Sequence, residues 1–201
     1  MNTNLFSLNT TDVIPGLLGV LLLLGGCSHQ IAISPLETPK RVETSLSAKK
    51  AAYVMTDIDR AKQVHSEGGG GDKVNYYPYR DLEKSIRDAL RAIYSDVTVV
   101  KSSSDTSTIQ ANNISFIFTP DITTTSSSTS ILTWPPTQFT IKLSCVVVDA
   151  TGKEVTRFSV SSEGMAEFSE FKNDFGLAGR RAATDLSEKL KQAVQTNALL
   201  N

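Results

Sequence analysis

Few side chains in this chain of 201 residues are of types that do chemistry. Its two histidines are His29 and His65, its two cysteines are Cys27 and Cys145, and its one notable carboxylate cluster is Glu163, Glu167 and Glu170 in SSEGMAEFSEF. General acid–base catalysis recruits a histidine or a pair of carboxylates in a cleft. A metal site needs His, Cys and carboxylate ligands at defined spacing, which neither histidine has. No nucleophile-elbow pattern accompanies His65. The three glutamates leave two readings open: paired acids of an envelope hydrolase or transferase, or an exposed strand-to-helix connection whose acids favour the dipole of the next helix. Four glycines at 68–71 precede Asp72-Lys73-Val74. A phosphate loop would require Lys followed by Ser or Thr directly after its glycine, so a flexible connection is expected instead of a nucleotide cradle. These residues predict no enzyme, no cofactor and no metal.

The remaining chemistry belongs to the Cys27 sulfur. Residues 13–24, VIPGLLGVLLLL, are a run of twelve containing Pro15, Gly16 and Gly19. Crossing a bilayer takes about 20 apolar residues, whereas the apolar core of a secretory signal takes about 7 to 15 and ends at small residues. Here Gly25 and Gly26 follow the run, and Cys27 follows them. Leu24-Gly25-Gly26-Cys27 resembles the lipobox of bacterial lipoproteins: an aliphatic residue, two small ones and the modified cysteine. The resemblance covers about the first 28 residues. It implies a diacylglycerol thioether on Cys27, cleavage between Gly26 and Cys27, and usually acylation, as by palmitate, of the new amino terminus. It also implies that Ser28, where an Asp would retain the protein at the inner membrane, directs it in a Gram-negative cell to the periplasmic leaflet of the outer membrane. The leader departs from the usual pattern in one respect, since residues 1–26 contain neither Lys nor Arg.

Composition fits a folded cargo behind such an anchor. The 174 residues after Cys27 carry all 20 basic residues and 20 of the 21 acids, Asp12 being the exception. That balance leaves out the basic footprint of a nucleic-acid binder and any polybasic aid to membrane attachment. The partners expected are therefore the membrane, through the lipid on Cys27, and an envelope protein of unspecified identity, with no nucleic acid. With Cys27 lipidated, Cys145 has no disulfide partner; it falls in QFTIKLSCVVVDA, where Phe139, Ile141, Leu143, Cys145 and Val147 alternate with polar residues as in a half-buried strand.

Three segments are expected: a signal over 1–26, a lipidated cysteine and flexible tether over 27–50 marked by Pro35 and Pro39, and one domain over 51–201. Ile31 and Ile33 alternate and could still form a short strand. Within the domain, a strand is expected over 51–56, followed by a polar connection to residue 73. Leu82, Ile86, Ala89, Leu90 and Ile93 recur at spacings of three and four, predicting an amphipathic helix with Pro78 near its start. Glu83 and Arg87 sit in the favourable i, i+4 order. Strands follow over 96–101 and 113–122, with Pro120 suggesting an edge or a bend. Residues 149–153, DATGK, predict a hairpin turn between the Cys145 strand and a strand over 154–160 with a bulge near Thr156 or Arg157. A long helix from about Asp174 to Ala198, with Ala178, Ala182, Leu186, Leu190 and Ala193 or Val194 on one stripe, closes the chain. The class is α+β: a mainly antiparallel sheet of four to five strands with two helices on one face.

That element order resembles small periplasmic lipoproteins of the YajG type and, more loosely, lipoproteins of lipopolysaccharide-assembly or transport-auxiliary type, over about residues 80–195. The resemblance implies a nonenzymatic binding or assembly role and carries no site residues. The best candidate partner-binding surface is Ile131, Leu132, Trp134 and Pro135, an apolar interruption of a Ser/Thr-rich stretch. Trp134 either serves as a rigid aromatic anchor or folds back to cap the sheet. Tyr76, Tyr77 and Tyr79 leave the same two readings open, since Tyr packs readily with its hydroxyl wet.

Overall fold

The computed structural model describes residues 28–69, 72–128 and 135–200. In order they form β1 (Ser28–Gln30), a 3-10 turn (Glu43–Ser45), β2 (Ser47–Val54), α1 (Asp57–Ala61), β3 (Val64–Gly69), β4 (Asp72–Tyr76), α2 (Pro78–Arg91), β5 (Tyr94–Val100), α3 (Thr106–Ala111), β6 (Ile114–Ser127), β7 (Gln138–Asp149), β8 (Glu154–Met165), a 3-10 helix (Phe168–Asn173) and α4 (Leu177–Gln195). A five-stranded sheet has the order β5-β2-β6-β7-β8, and a small second sheet has the order β1-β4-β3. The fold is α+β, as expected, but the large sheet is mixed: β2 pairs parallel with both β5 and β6, while β6, β7 and β8 are antiparallel. Parallel neighbours require crossover connections. Here α2 lies between β2 and β5, and α3 between β5 and β6.

The two long helices bury the predicted stripes. Leu82, Ile86, Ala89 and Leu90 of α2 and Ala178, Ala182, Leu186, Leu190 and Val194 of α4 join the main core with Phe139, Ile141, Leu143, Cys145 and Val147 of β7. The other face of the sheet carries a second cluster of Ala52, Val100, Ile109, Ile114 and Ile117 under α3. Asp105 caps α3 by accepting from Thr108 N–H, so a helical turn fills the connection between the strands expected over 96–101 and 113–122. The 57–73 segment differs from its expectation in the same way. Thr56 and Asp59 form a reciprocal capping box that starts α1, and β3 and β4 form an antiparallel hairpin.

Pro120 sits in β6 just past Phe118, the last residue there that pairs with β2. Alternate residues of a strand point their N–H groups to one side, so the missing donor of Pro120 falls on the side where Ile122 N–H finds no strand and donates to the Tyr79 hydroxyl at 3.1 Å. The predicted edge is thus local to half of a strand. The β7–β8 turn is tied by Asp149, whose carboxylate accepts from Thr151 and Lys153 N–H, with Gly152 at φ +85°. The bulge lies between Glu154 and Thr156, at the start of the predicted region.

At the outer edge of β8, helix α4 stands where another strand could pair. Arg181 Nη1 donates to Met165 O at 2.8 Å, Asp185 accepts from Glu163 N–H at 3.4 Å and Lys189 Nζ donates to Ser161 O at 3.0 Å. Side chains four residues apart on one helix face thereby satisfy an edge that would otherwise invite pairing.

Residues 28–34 belong to the fold, which corrects the expected tether. β1 pairs parallel with β4, Ile31 N–H donates to Asn75 O, and Ile31 and Ile33 are buried. The cause is the glycine spacing at the start of α4. A Cβ on Gly176 would overlap the Ala32 carbonyl, and one on Gly179 would overlap Ile33 Cγ2, so these two glycines make the seat for the segment. Arg180 Nε donates to Ser34 O, and Leu36 N–H donates to Thr184 Oγ1. Further along, Arg41 reaches the carbonyls at the end of α2 and the start of β5. Pro35 and Pro39 therefore punctuate a strap laid across the helices.

Candidate functional site

Of the predicted site residues, Gly26, Cys27, Ile131, Leu132 and Trp134 lie outside the described residues; Ser28, Pro135 and the three glutamates are within them. The described residues that flank these two stretches come together at one end of the domain. In the small sheet, Ser28 pairs with Lys73, and His29 with Val74. Val74 is opposite Ser66 of β3, whose hydroxyl meets that of Ser126 in β6 at 2.8 Å. Ser126 is opposite Phe139, and Phe139 is opposite Gly164. One residue further along lie Ser127, Gln138 and Met165, where the connection between β6 and β7 leaves and returns. The same end holds the first turn of α4, because Gly164 backs onto Ala178 and Ala182 without room for a Cβ.

Pro135 is buried, as is Pro136. Thr137 N–H donates to Ser127 O, and Ala166 N–H donates to Thr137 O, which draws the chain after residue 134 down onto the sheet end. Pro135 is accordingly a packing residue and not a presented contact, correcting its place among the partner-binding candidates. The exposed apolar side chains at this end are ones that sequence reasoning missed: Met165 at 60 % exposure, Phe168 at 73 % and Phe175 at 44 %. No periodic signal marks them, since they fall on a strand end, a 3-10 helix and a connection. Phe171, in the same 3-10 helix, is buried and holds that element to the core.

The glutamates do not form a catalytic pair. Glu163 is an exposed residue within β8, opposite Thr140. Glu167 and Glu170 form a capping box around the 3-10 helix, Glu170 accepting from Glu167 N–H at 2.8 Å. Arg181 grips Glu170 through both Nη atoms at 2.9 and 2.6 Å. That guanidinium, with the backbone N–H of Glu167, holds the Glu170 carboxyl well below the usual carboxylate range, at about 2. A group kept ionised in this way cannot serve as a general acid near neutral pH.

Other polar clusters are also internally satisfied. Glu83 accepts from Arg60 at 2.7 and 2.8 Å and from the Tyr53 hydroxyl at 3.0 Å, instead of pairing with Arg87. Arg60 is the leading cause holding the Glu83 carboxyl down, while burial is the leading cause pushing Tyr53 up. A groove near the end of α2 is lined by Thr38, Pro39, Arg41, Lys84, Asp88 and Arg91, in which Lys84 pairs with Asp88, and Arg41 with Glu43. Tyr76 and Tyr79 are buried with their hydroxyls on protein groups, Tyr76 meeting Thr124 at 2.8 Å and Tyr79 donating to Asp121 at 3.2 Å, and Arg80 stacks on Tyr77. Burial pushes the Cys145 thiol up to about 12, as suits a core sulfur. Among the described residues, no group of three His, Cys, Asp or Glu is placed to hold a metal, and no helix is long and apolar enough to cross a membrane.

No family model matches the chain, and no curated protein matches it by sequence. Among solved structures, a Xanthomonas campestris protein of the DUF330 family model is 11 % identical, with a TM-score of 0.41 over 83 % of this chain and 90 % of that one. The PelC dodecamer subunit from Paraburkholderia phytofirmans is 10 % identical, with a TM-score of 0.44 over 77 % and 92 %. A minor lipoprotein from Acinetobacter baumannii is 13 % identical, with a TM-score of 0.39 over 76 % and 94 %. Identity and structural overlap are low in each case.

Proposed function

We propose that the protein is a lipid-anchored, nonenzymatic binding or assembly module of the bacterial cell envelope. The observation that carries this reading is the lipobox-like Leu24-Gly25-Gly26-Cys27 behind a run of signal length. Each buried methylene contributes about 0.8 kcal/mol, and stable anchoring takes two membrane signals. Two acyl chains on the Cys27 glyceride meet that requirement without help from charge, which the neutral composition could not give. In a Gram-negative cell, Ser28 after the cysteine favours the periplasmic leaflet of the outer membrane. Helix α4 satisfies the β8 edge, and Glu167 and Glu170 are spent on capping and ion pairing. Metabolic labelling with an alkyne analogue of palmitate tests the anchor: the wild type takes up label and sediments with membranes, and Cys27→Ser does neither. Equal labelling of the two would refute it. Cross-linking on intact cells followed by purification tests the binding role, which fails if no envelope protein is captured.

A further inference from the structure

Among the described residues, eight large apolar side chains are strongly exposed, and three of them, Met165, Phe168 and Phe175, fall within eleven consecutive positions. The others, Leu36, Val42, Ile58, Val99 and Leu199, are scattered and need no special account. The cluster occupies the stretch from the end of β8 to the start of α4. Ser28 is at the same end, joined to it through the strand contacts from β1 to β8. We propose that this end is the membrane-facing surface of the domain, with Met165 and Phe168 seated at the headgroup boundary of the bilayer that holds the lipid.

The proposal rests on lipidation of Cys27, and what it adds is orientation. Had residues 28–50 been a free tether, the domain could have turned any face to the membrane. Instead the chain is fixed in β1 from Ser28 onward, and Ile31 and Ile33 are sealed under the first turn of α4. Adjacent Cα atoms are about 3.8 Å apart, so a lipid on Cys27 leaves the domain no slack, and the end carrying Ser28 must lie against the bilayer. The surface it presents suits that place. Exposed aromatic and thioether side chains gain by entering the interfacial region. Two of the acids nearby are matched, Glu170 by Arg181 at 2.6 Å and Asp174 by Arg180 at 2.7 Å, while Glu163 and Glu167 are exposed on the flanks of Met165. The β7–β8 turn, with Asp149, Thr151 and Lys153, is at the far end and polar.

The test uses the full lipoprotein, carrying Phe168→Cys, Met165→Cys or Thr151→Cys, labelled with an environment-sensitive fluorophore. Cys145 is buried and its thiol is held protonated, so the introduced cysteine takes the label. The proteins are reconstituted into vesicles of equal parts phosphatidylethanolamine and phosphatidylglycerol carrying nitroxide-labelled acyl chains, and floated through a density gradient. Positions 165 and 168 are expected to be quenched several-fold more strongly than position 151. Equal quenching at all three, in protein that floats and carries the lipid by mass, overturns the orientation alone. Protein that lacks the lipid mass and does not float overturns the anchoring reading, and the orientation with it.

Discussion

Ile33→Ala probes the point at which sequence and structure part most sharply. Ile33 is fully buried against Gly179, close to Phe139, in a stretch whose composition reads as a tether. On a tether, the substitution would change stability by no more than about 0.5 kcal/mol. In the observed seat it removes three carbons from a closed contact and leaves a space bounded by the α4 backbone, which should cost about 2–5 kcal/mol. Against a total of roughly 5–15 kcal/mol for a domain, this is a large fraction. With a urea slope of about 1–3 kcal/mol per molar, the unfolding midpoint should fall by on the order of 1–2 M, read by far-ultraviolet circular dichroism. A second variant sharpens the test. Gly179→Ala forces a methyl group onto Ile33 Cγ2 and should cost about 1–3 kcal/mol by overpacking. Ile33→Ala removes the atom it strikes, so the double variant should be more stable than the sum of the single losses by about 0.5–3 kcal/mol. An unchanged midpoint for Ile33→Ala, or strict additivity of the pair, would refute the packed-strap account.

Tyr79→Phe leaves the buried Ile122 N–H without its acceptor at 3.1 Å and should lower stability by about 1–3 kcal/mol in the same urea assay. Glu170 has its carboxyl lowered from the ordinary 4.5 to about 2, so its contribution to stability is complete above 4.5 and is lost as pH falls towards about 2. Urea midpoints of wild type and Glu170→Gln should therefore differ at pH 6, with the wild type higher, and converge near the bottom of that window; a constant gap would contradict the assignment. Burial of Cys145 predicts that a maleimide reagent labels it in concentrated urea and not in the native protein at neutral pH.

Most of the fold was legible wherever burial imposes a period. The stripes of α2 and α4 and the alternation of β7 can be read directly because one side of each element faces a core. Both short helices also announce themselves by their caps, Thr56 with Asp59 and Asp105 before Thr108, but they are too short for a stripe to confirm them. The β3–β4 hairpin was not legible, since glycine-rich polar residues carry no alternation. Parallel pairing of β2 with β5 and β6 depends on how crossovers pack, which no local window records. The strap was hidden for a different reason. Pro35 and Pro39 signal irregular chain, while the features that hold it, Gly176 and Gly179, lie far along the sequence and read locally as helix breakers. Of the site, the cysteine motif was visible by itself, whereas the Met165–Phe168 surface exists only once the end of β8, the 3-10 helix and the strap meet.

The account turns on the mature amino terminus. Intact mass spectrometry of the protein from its native host, followed by fragmentation of the terminal peptide, should find a chain beginning at Cys27 and carrying a diacylglycerol thioether, usually with an acylated α-amino group. A chain that retains residues 1–26, or one that begins at Cys27 with a free thiol, would contradict it.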